Sequence, residues 1–514
     1  MFRRISHYVL PLTLVFACSP IAFGTTPTEA PAAFDGQPVS DFVAMPRPPG
    51  ATEDVDYVKA KTAYENVEAS AHKDDNGNIK NDGLGPLYNA TSCVACHQNP
   101  VTGGVSQISE LRAGHVDKFG RFVPANIRIN GGKDVIAGRT LVNDRAICSE
   151  YQERVPQKEK IRAFRMSLNT LGDGFVEAVA DQTLVDISEK QCASAKNTGI
   201  CGSYIFVPIL EGTPTATAIG RFGWKNQHAS LRSFSADAYL NEMGITTALL
   251  PHEFTEGVKS VPNGCAAAQQ GAHPTDANDK QRTNDAIEKE TGHEDAELFT
   301  FYMRGSKVPP RNPALVDNEG AKRGEKLFSK AGCDVCHVST IVTASAGTTI
   351  LNGTYKIPES LGDKIIHPYS DFLLHDIGTS DGIALSATEH YGVRDDKIQA
   401  AYYPVTEEFK KETHKSGGSS KLLSKYKSKF FAAFDQAMNR KNFSYAKIQD
   451  GRHRLRTAPL WGLHTHSRLM HDGESVRLDA AIRRHNKEAK VSENKYEHLS
   501  GIERKDLRTF LHSL

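Results

Sequence analysis

Apolar positions recur along the chain with helical spacing in a few segments. Leu507, Phe510, Leu511 and Leu514 follow the i, i+3, i+4, i+7 rule, so Glu503 to Leu514 is predicted to be a helix with one buried face. The stretch Glu319-Gly-Ala-Lys-Arg-Gly-Glu-Lys-Leu-Phe-Ser-Lys-Ala-Gly332 predicts another, with Leu327 and Phe328 on one side. Leu478, Ala481, Ile482 and His485 share a helical face, which turns the His485 imidazole inward. Val58 to Ala71 has helical composition. Residues 195–224 carry Gly, Thr and β-branched residues, including Ser203-Tyr-Ile-Phe-Val-Pro208, and predict a short hairpin. The apolar run Tyr8 to Ala17 is of another kind. It follows Arg3 and Arg4 and precedes Ala22-Phe-Gly24, small at both positions that a signal peptidase reads, so residues 1–24 predict a cleaved export signal. Pro11, Ser19 and Pro20 cut it short of the roughly 20 apolar residues a membrane span needs. Lipidation at Cys18 is the alternative, against which stands the bulky Phe16 two residues before it. No later segment predicts a span.

Composition changes the picture only through two residue types. The chain has 514 residues, 39% of them hydrophobic, which fits a globular protein of two or three domains. Its 62 Lys+Arg against 61 Asp+Glu give a net charge of +1 and no electrostatic footprint for nucleic acid. The 20 His and 9 Cys stand out. The predicted organisation is an extended arm over 25–56, an N-terminal domain over 57–265, a polar linker over 266–297 and a C-terminal domain over 298–514.

Export predicts an oxidising compartment, the periplasm, where disulfides form and c-type haem is attached. Four cysteines stand in identical frames, Cys93-Val-Ala-Cys96-His97 and Cys333-Asp-Val-Cys336-His337. Two thiols three residues apart bond the two vinyl-derived carbons of one haem, and the following histidine ligates its iron. A zinc or redox CxxC does not require that histidine. Two covalent haems are therefore expected, with His97 and His337 as axial ligands. Cys148, Cys192, Cys201 and Cys265 remain for disulfides, in any of three connectivities. The short intervening loop favours Cys192 with Cys201, which leaves Cys148 for Cys265. A helix before CxxCH and a terminal helix closing the unit are the framework of a class I cytochrome c. The expected fold is thus mainly α, two cytochrome c-like domains each around one haem, with a small β-hairpin insertion in the N-terminal half.

Several segments resemble the secreted di-haem oxidoreductases related to bacterial di-haem cytochrome c peroxidases. They are Gly83 to His97, Gly220-Arg-Phe-Gly-Trp-Lys225, Asn241-Glu-Met-Gly-Ile-Thr246, Tyr369 to Gly378, Arg456-Thr-Ala-Pro-Leu-Trp-Gly462 and His471-Asp-Gly473. In the peroxidases a methionine fourteen residues after an HxG histidine completes the electron-transferring haem. Here that position is His485, which implies a bis-His haem with His337 and a lowered potential. The resemblance implies that peroxide reacts at the N-terminal haem, that Trp224 carries electrons between the haems, and that Glu242 moves protons above the reacting iron. The spacing from Trp224 to Glu242 is two residues shorter than in the peroxidases, and Phe234 stands where they usually keep glutamine. His115, His228 and Met243 are candidates for closing the first haem, which otherwise is open. Trp461 reads as structural, and His375 matches the family motif without a derivable role.

The leading reading is therefore an enzyme, a peroxidase that reduces hydrogen peroxide with electrons from a small donor protein such as a cytochrome c or cupredoxin. The alternatives are haem-dependent oxidation or oxygenation of an organic or protein substrate, and a plain di-haem electron carrier. A calcium ion between the domains occurs in the peroxidase branch; its ligands there are partly backbone carbonyls, so this sequence leaves it open.

Overall fold

The computed structural model describes residues 26–69, 84–251, 290–386 and 444–514, with 72–73, 79–80, 254–255 and parts of 405–436 between them. The expected export signal, Cys18, Cys265 and most of the expected linker lie outside these residues. No helix among the described residues is long and apolar enough to cross a membrane.

The expectation of a mainly α fold made of two cytochrome c-like domains is corrected by the structure: helix makes up 36% and strand 17%, with several sheets. The largest sheet was not anticipated. It comprises β1 (Ser109–Val116), β2 (Phe122–Ile129), β3 (Asp134–Arg139), β4 (Leu141–Val142) and β5 (Ile161–Met166). The order is β5-β1-β2-β3, with β4 also paired to β1. Its pairs are antiparallel, and Arg165 lies opposite Glu110. Alternation along β2 sends Ala125, Ile127 and Ile129 into a core with Ala113, Ile136 and Tyr151. The opposite edge of that alternation leaves polar side chains of β1 and β5 free to line a cavity. The predicted hairpin is present as β6 (Phe206–Pro208) against β7 (Thr217–Ile219), but it is a minor part of the β structure.

The predicted helices form, although the first covers only Tyr57–Glu65 against the expected Val58 to Ala71 and the one expected to carry His485 ends at Arg483. Helix α1 (Tyr57–Glu65) starts at Asp56, whose side chain accepts from the Lys59 amide. Helix α2 spans Asp181–Thr198 and α3 spans Leu231–Met243, capped by Ser230 and closed by Gly244 at φ 68°. A side chain at Gly244 would also strike the Leu87 carbonyl. Helix α4 (Asp295–Gly305) begins inside the segment expected as linker, and its Phe299 ring meets Tyr64 of α1 and Tyr239 of α3 edge-on. Helix α5 (Glu319–Ala331) is capped by Asn318 and buries Ala321, Gly324 and Phe328. Helix α6 spans Leu478–Arg483, and α7 (Gly501–Leu511) carries a capping box of Ser500 and Glu503. Helices α5 and α7 approach closely because Gly324 has no side chain: a Cβ there would lie 2.1 Å from the Asp506 carbonyl oxygen. The central core draws on residues from Val39 to Trp461.

Candidate functional site

The two CxxCH segments adopt one local structure. Cys93–Ala95 and Cys333–Val335 each form a turn of 3-10 helix. The amides of His97 and His337 each bond back to the first cysteine's carbonyl at 3.0 Å. All four cysteines are free of disulfides. Cys192 and Cys201 are joined as expected. Cys148 is also disulfide-bonded, and its expected partner Cys265 lies outside the described residues.

Three imidazoles are held alike. Nδ1 of His97 faces the Gly104 carbonyl at 3.2 Å, Nδ1 of His337 faces that of Tyr369 at 2.9 Å, and Nδ1 of His485 faces that of Ala481 at 2.9 Å. A ring N–H donated to a backbone carbonyl leaves Nε2 with a free lone pair, the tautomer that binds metal. Burial pushes all three below the ordinary histidine range, His337 to about 4, so each is in its neutral, ligating form.

His337 and His485 face each other across one cavity of about 240 Å³, which Cys333 and Cys336 also line. Their ring centroids are 6.5 Å apart. Two imidazoles bound on opposite sides of one metal, at roughly 2 Å per metal–nitrogen bond, need a separation of about 6 Å. The same wall holds buried polar atoms with no protein partner: Arg456 Nε, His466 Nε2 and His471 Nδ1. Burial drives Arg456 down to about 10 against the opposing pull of Asp173. An apolar slot with two thiols, two facing imidazoles and an under-compensated guanidinium fits haem, whose propionates would supply the missing anions.

The surroundings of His97 differ. Two chambers of about 80 and 140 Å³ meet at Cys96, His97, Phe234, Ala238 and Glu242. His97 is the one histidine among the described residues lining them. Helix α3 supplies Glu242 one residue before its end, and the Glu242 carbonyl accepts from the Asn89 and Ala90 amides at 2.7 and 3.1 Å, tying α3 to the chain just ahead of Cys93. Asn89 Nδ2 also donates to Glu242 Oε2 at 2.7 Å, while Asn89 Oδ1 accepts from the Asp144 amide at 2.8 Å. Glu242 is hydrogen-bonded to Glu110 of β1. Arg112 grips Glu110 with two bonds, at 2.7 and 3.1 Å. Burial, then the Glu110 charge and hydrogen bond, push Glu242 well above the usual carboxylate range. Burial would also raise Glu110, but the charges of Arg112 and Arg165 and the hydrogen bonds of Arg112 and Glu242 outweigh it and hold Glu110 low.

Trp224 lines both the second cavity and the larger first chamber, as do Met166 and Arg456. Its Nε1 donates to the Met166 carbonyl at 2.8 Å, its own carbonyl accepts from the Arg456 amide at 2.9 Å, and its ring meets His471 edge-on at 6.1 Å. The short ladder β8 (Leu374–His375) with β9 (Leu455–Arg456) sets Arg456 in place. Of the other sequence candidates only Met243 lines the first chambers. His115 is half-buried on β1 with Nδ1 2.5 Å from the buried Glu159, and His228 stacks on Phe234 beside Asp237. Met243 lines the smaller first chamber and packs in the central core. Trp461 belongs to that core too.

His375 sits beneath the second cavity. Its Nε2 and Nδ1 lie 2.9 Å from Asp371 and Glu488 respectively, and Cys336 Sγ is 3.7 Å away. Burial opposes its charge, yet Cys336 and Asp371 outweigh it and raise the imidazole well above its ordinary value. Its nitrogens are thus committed to carboxylates.

The sequence reading missed Glu110, Arg112 and Asn89. Glu110 and Arg112 are two apart with Leu111 and Ala113 alternating between and after them, a strand signal that puts both charges on one face.

Comparison with known proteins bears out the resemblance. Residues 140–390 match the family model described as "Di-haem oxidoreductase, putative peroxidase". That span holds Trp224, Glu242 and the second CxxCH. Among solved structures, a variant of the diheme peroxidase BthA from Burkholderia thailandensis is similar at 13% identity, covering 65% of this chain and 86% of that one, with a TM-score of 0.27. None of the curated proteins matches the chain in sequence.

Proposed function

We propose that this di-haem oxidoreductase is a periplasmic peroxidase, reducing hydrogen peroxide beside His97 with electrons that enter beside His337 and His485. The observation that carries this reading is the inequality of the two sites. Two facing imidazoles close the second, whereas the first pairs one imidazole with the buried Glu242 carboxyl group, whose proton affinity burial and the Glu110 charge raise. Haem attached at each CxxCH would supply the redox chemistry. Cys93, Cys96 and His97 would hold one group, and Cys333, Cys336, His337 and His485 the other.

The chain's own residues divide the remaining work. Reduction of one peroxide to two waters consumes two electrons and two protons. Cleavage of the O–O bond requires a proton to be placed on the leaving oxygen and one to be taken from the other, which a carboxyl group that starts protonated does in turn as acid and base. Glu242 is that group. Asn89 orients it, and the apolar walls of Phe234 and Ala238 limit the water that competes with the substrate. Trp224 lies between the two cavities, its indole fixed at Nε1, and is the protein group through which electrons pass. The donor is a small redox protein of the cytochrome c or cupredoxin kind.

Electron paramagnetic resonance of the holoprotein tests the reading, recorded oxidised and half-reduced, with and without cyanide. One cyanide-sensitive and one cyanide-indifferent iron supports it. Two irons indifferent in both states would make the protein an electron carrier and overturn it. Cyanide binding without peroxide turnover would point to oxidation of an organic or protein substrate instead.

A further inference from the structure

Carboxyl groups in contact at neutral pH do not both ionise, because the second charge meets the first at short range and low dielectric. Glu110 and Glu242 come from unrelated elements, a β1 strand position and the last turn of α3, and meet at the wall of the larger first chamber. Their surroundings are unequal. Glu110 receives both prongs of the Arg112 guanidinium, whose third nitrogen donates to Thr140 Oγ1 at 3.1 Å, and Arg165 lies across the strand from it. Glu242 receives the neutral Asn89 amide and the contact with Glu110, and no guanidinium bonds to it among the described residues; the Arg112 charge, which lowers it, is outweighed by burial and Glu110.

We propose that Glu110 is a positioning residue for Glu242: the two carboxyl groups share one proton at the first cavity, and the Glu110 carboxylate, gripped by Arg112, keeps that proton on Glu242. This rests on reading Glu242 as the acid–base group. The other charged groups lining the chamber have their own partners. Arg165 donates to Asp381 at 2.8 Å, and Asp237 is 3.0 Å from His228. Asp173, raised to about 7 by burial, and Arg456 act on each other. Glu110 is thus the carboxylate that touches Glu242. The arrangement gives the site an acid at rest whose proton, once delivered, leaves two like charges in contact, and this drives recapture of the next proton. The proton moves from a carboxyl O–H to the leaving oxygen, and solvent or the substrate returns it, so the pair ends each cycle as it began.

Infrared spectroscopy of the holoprotein reads the proton directly. Taken as the difference between wild type and Glu242→Gln, which cancels the Asp173 band common to both, the carbonyl stretch of a protonated carboxyl group is expected at neutral pH and shifts in heavy water. In Glu110→Gln the like charge is gone while Arg112 remains, so the pH midpoint of that band falls by about one unit or more, a tenfold change in proton affinity. Glu110→Asp, which draws the charge toward Arg112, moves it in the same direction by less and serves if Glu110→Gln folds poorly. A midpoint unchanged in both variants, or no carbonyl band lost in Glu242→Gln, overturns the proposal. The band is independent of turnover, so an enzyme inert toward peroxide but with this titration would refute the proposed function and leave the proton-sharing pair standing.

Discussion

Glu242→Gln isolates proton transfer from everything else the residue does. The protonated Glu242 accepts from Asn89 Nδ2 at 2.7 Å and shares a hydrogen bond with Glu110. Glutamine reproduces both: its carbonyl accepts from Asn89 and its amide donates to the Glu110 carboxylate, in the same volume. Folding therefore changes little, and the loss falls on chemistry. A positioned general acid–base group contributes about 10²- to 10⁴-fold, or about 2.7–5.5 kcal/mol of barrier. Stopped-flow mixing of the half-reduced holoprotein with peroxide measures it, and a wild-type rate refutes the assignment. The pH dependence of stability provides a second check. Glu242 is held above its unfolded value of about 4.3, so the native state keeps its proton longer than the unfolded chain. Its contribution to stability accordingly declines as pH rises from the unfolded value toward the folded one. The glutamine variant has no proton to lose, and its stability is flatter across that window and exceeds wild type at its upper end.

His485→Ala removes one of the two facing imidazoles and converts the second haem from low to high spin, with free imidazole restoring the spectrum; an unchanged spectrum removes His485 as a ligand. His375→Leu leaves Asp371 buried without its cation and Glu488 dependent on Arg454, at a cost of about 3–5 kcal/mol in urea unfolding. Because the His375 pKa is raised, its stabilisation is full below its unfolded value of about 6.5 and is lost as pH rises through the folded one. Cys192→Ser opens a loop with sequence separation 9 and costs about 2–3 kcal/mol by loop-entropy reasoning, read as a lower denaturation midpoint.

Local signals survived folding where the chemistry is local. The two CxxCH pentads carry thiols and imidazole within five residues, and each forms the same turn. Helices α5 and α7 followed from the spacing of their apolar residues, whereas His485, which that spacing put on a helix, lies two residues past the end of α6 and still lines the second cavity. The nine-residue span between Cys192 and Cys201 made their pairing readable. Trp224 and Glu242 came from resemblance, and the structure places both at the cavity walls.

What remained hidden depends on contacts between distant positions. The five-stranded sheet was overlooked because strand pairing joins segments across turns, a relation that no single segment displays. With it went Glu110, whose meaning comes from a partner 132 positions away, and Arg112, whose grip decides which carboxyl group keeps the proton. Short-range patterning thus specified the CxxCH turns and the amphipathic helices, since these arise from neighbouring residues on one turn or face. The inequality of the two cavities was decided by tertiary structure alone, because proton affinity depends on which charges and how little water folding brings around a side chain.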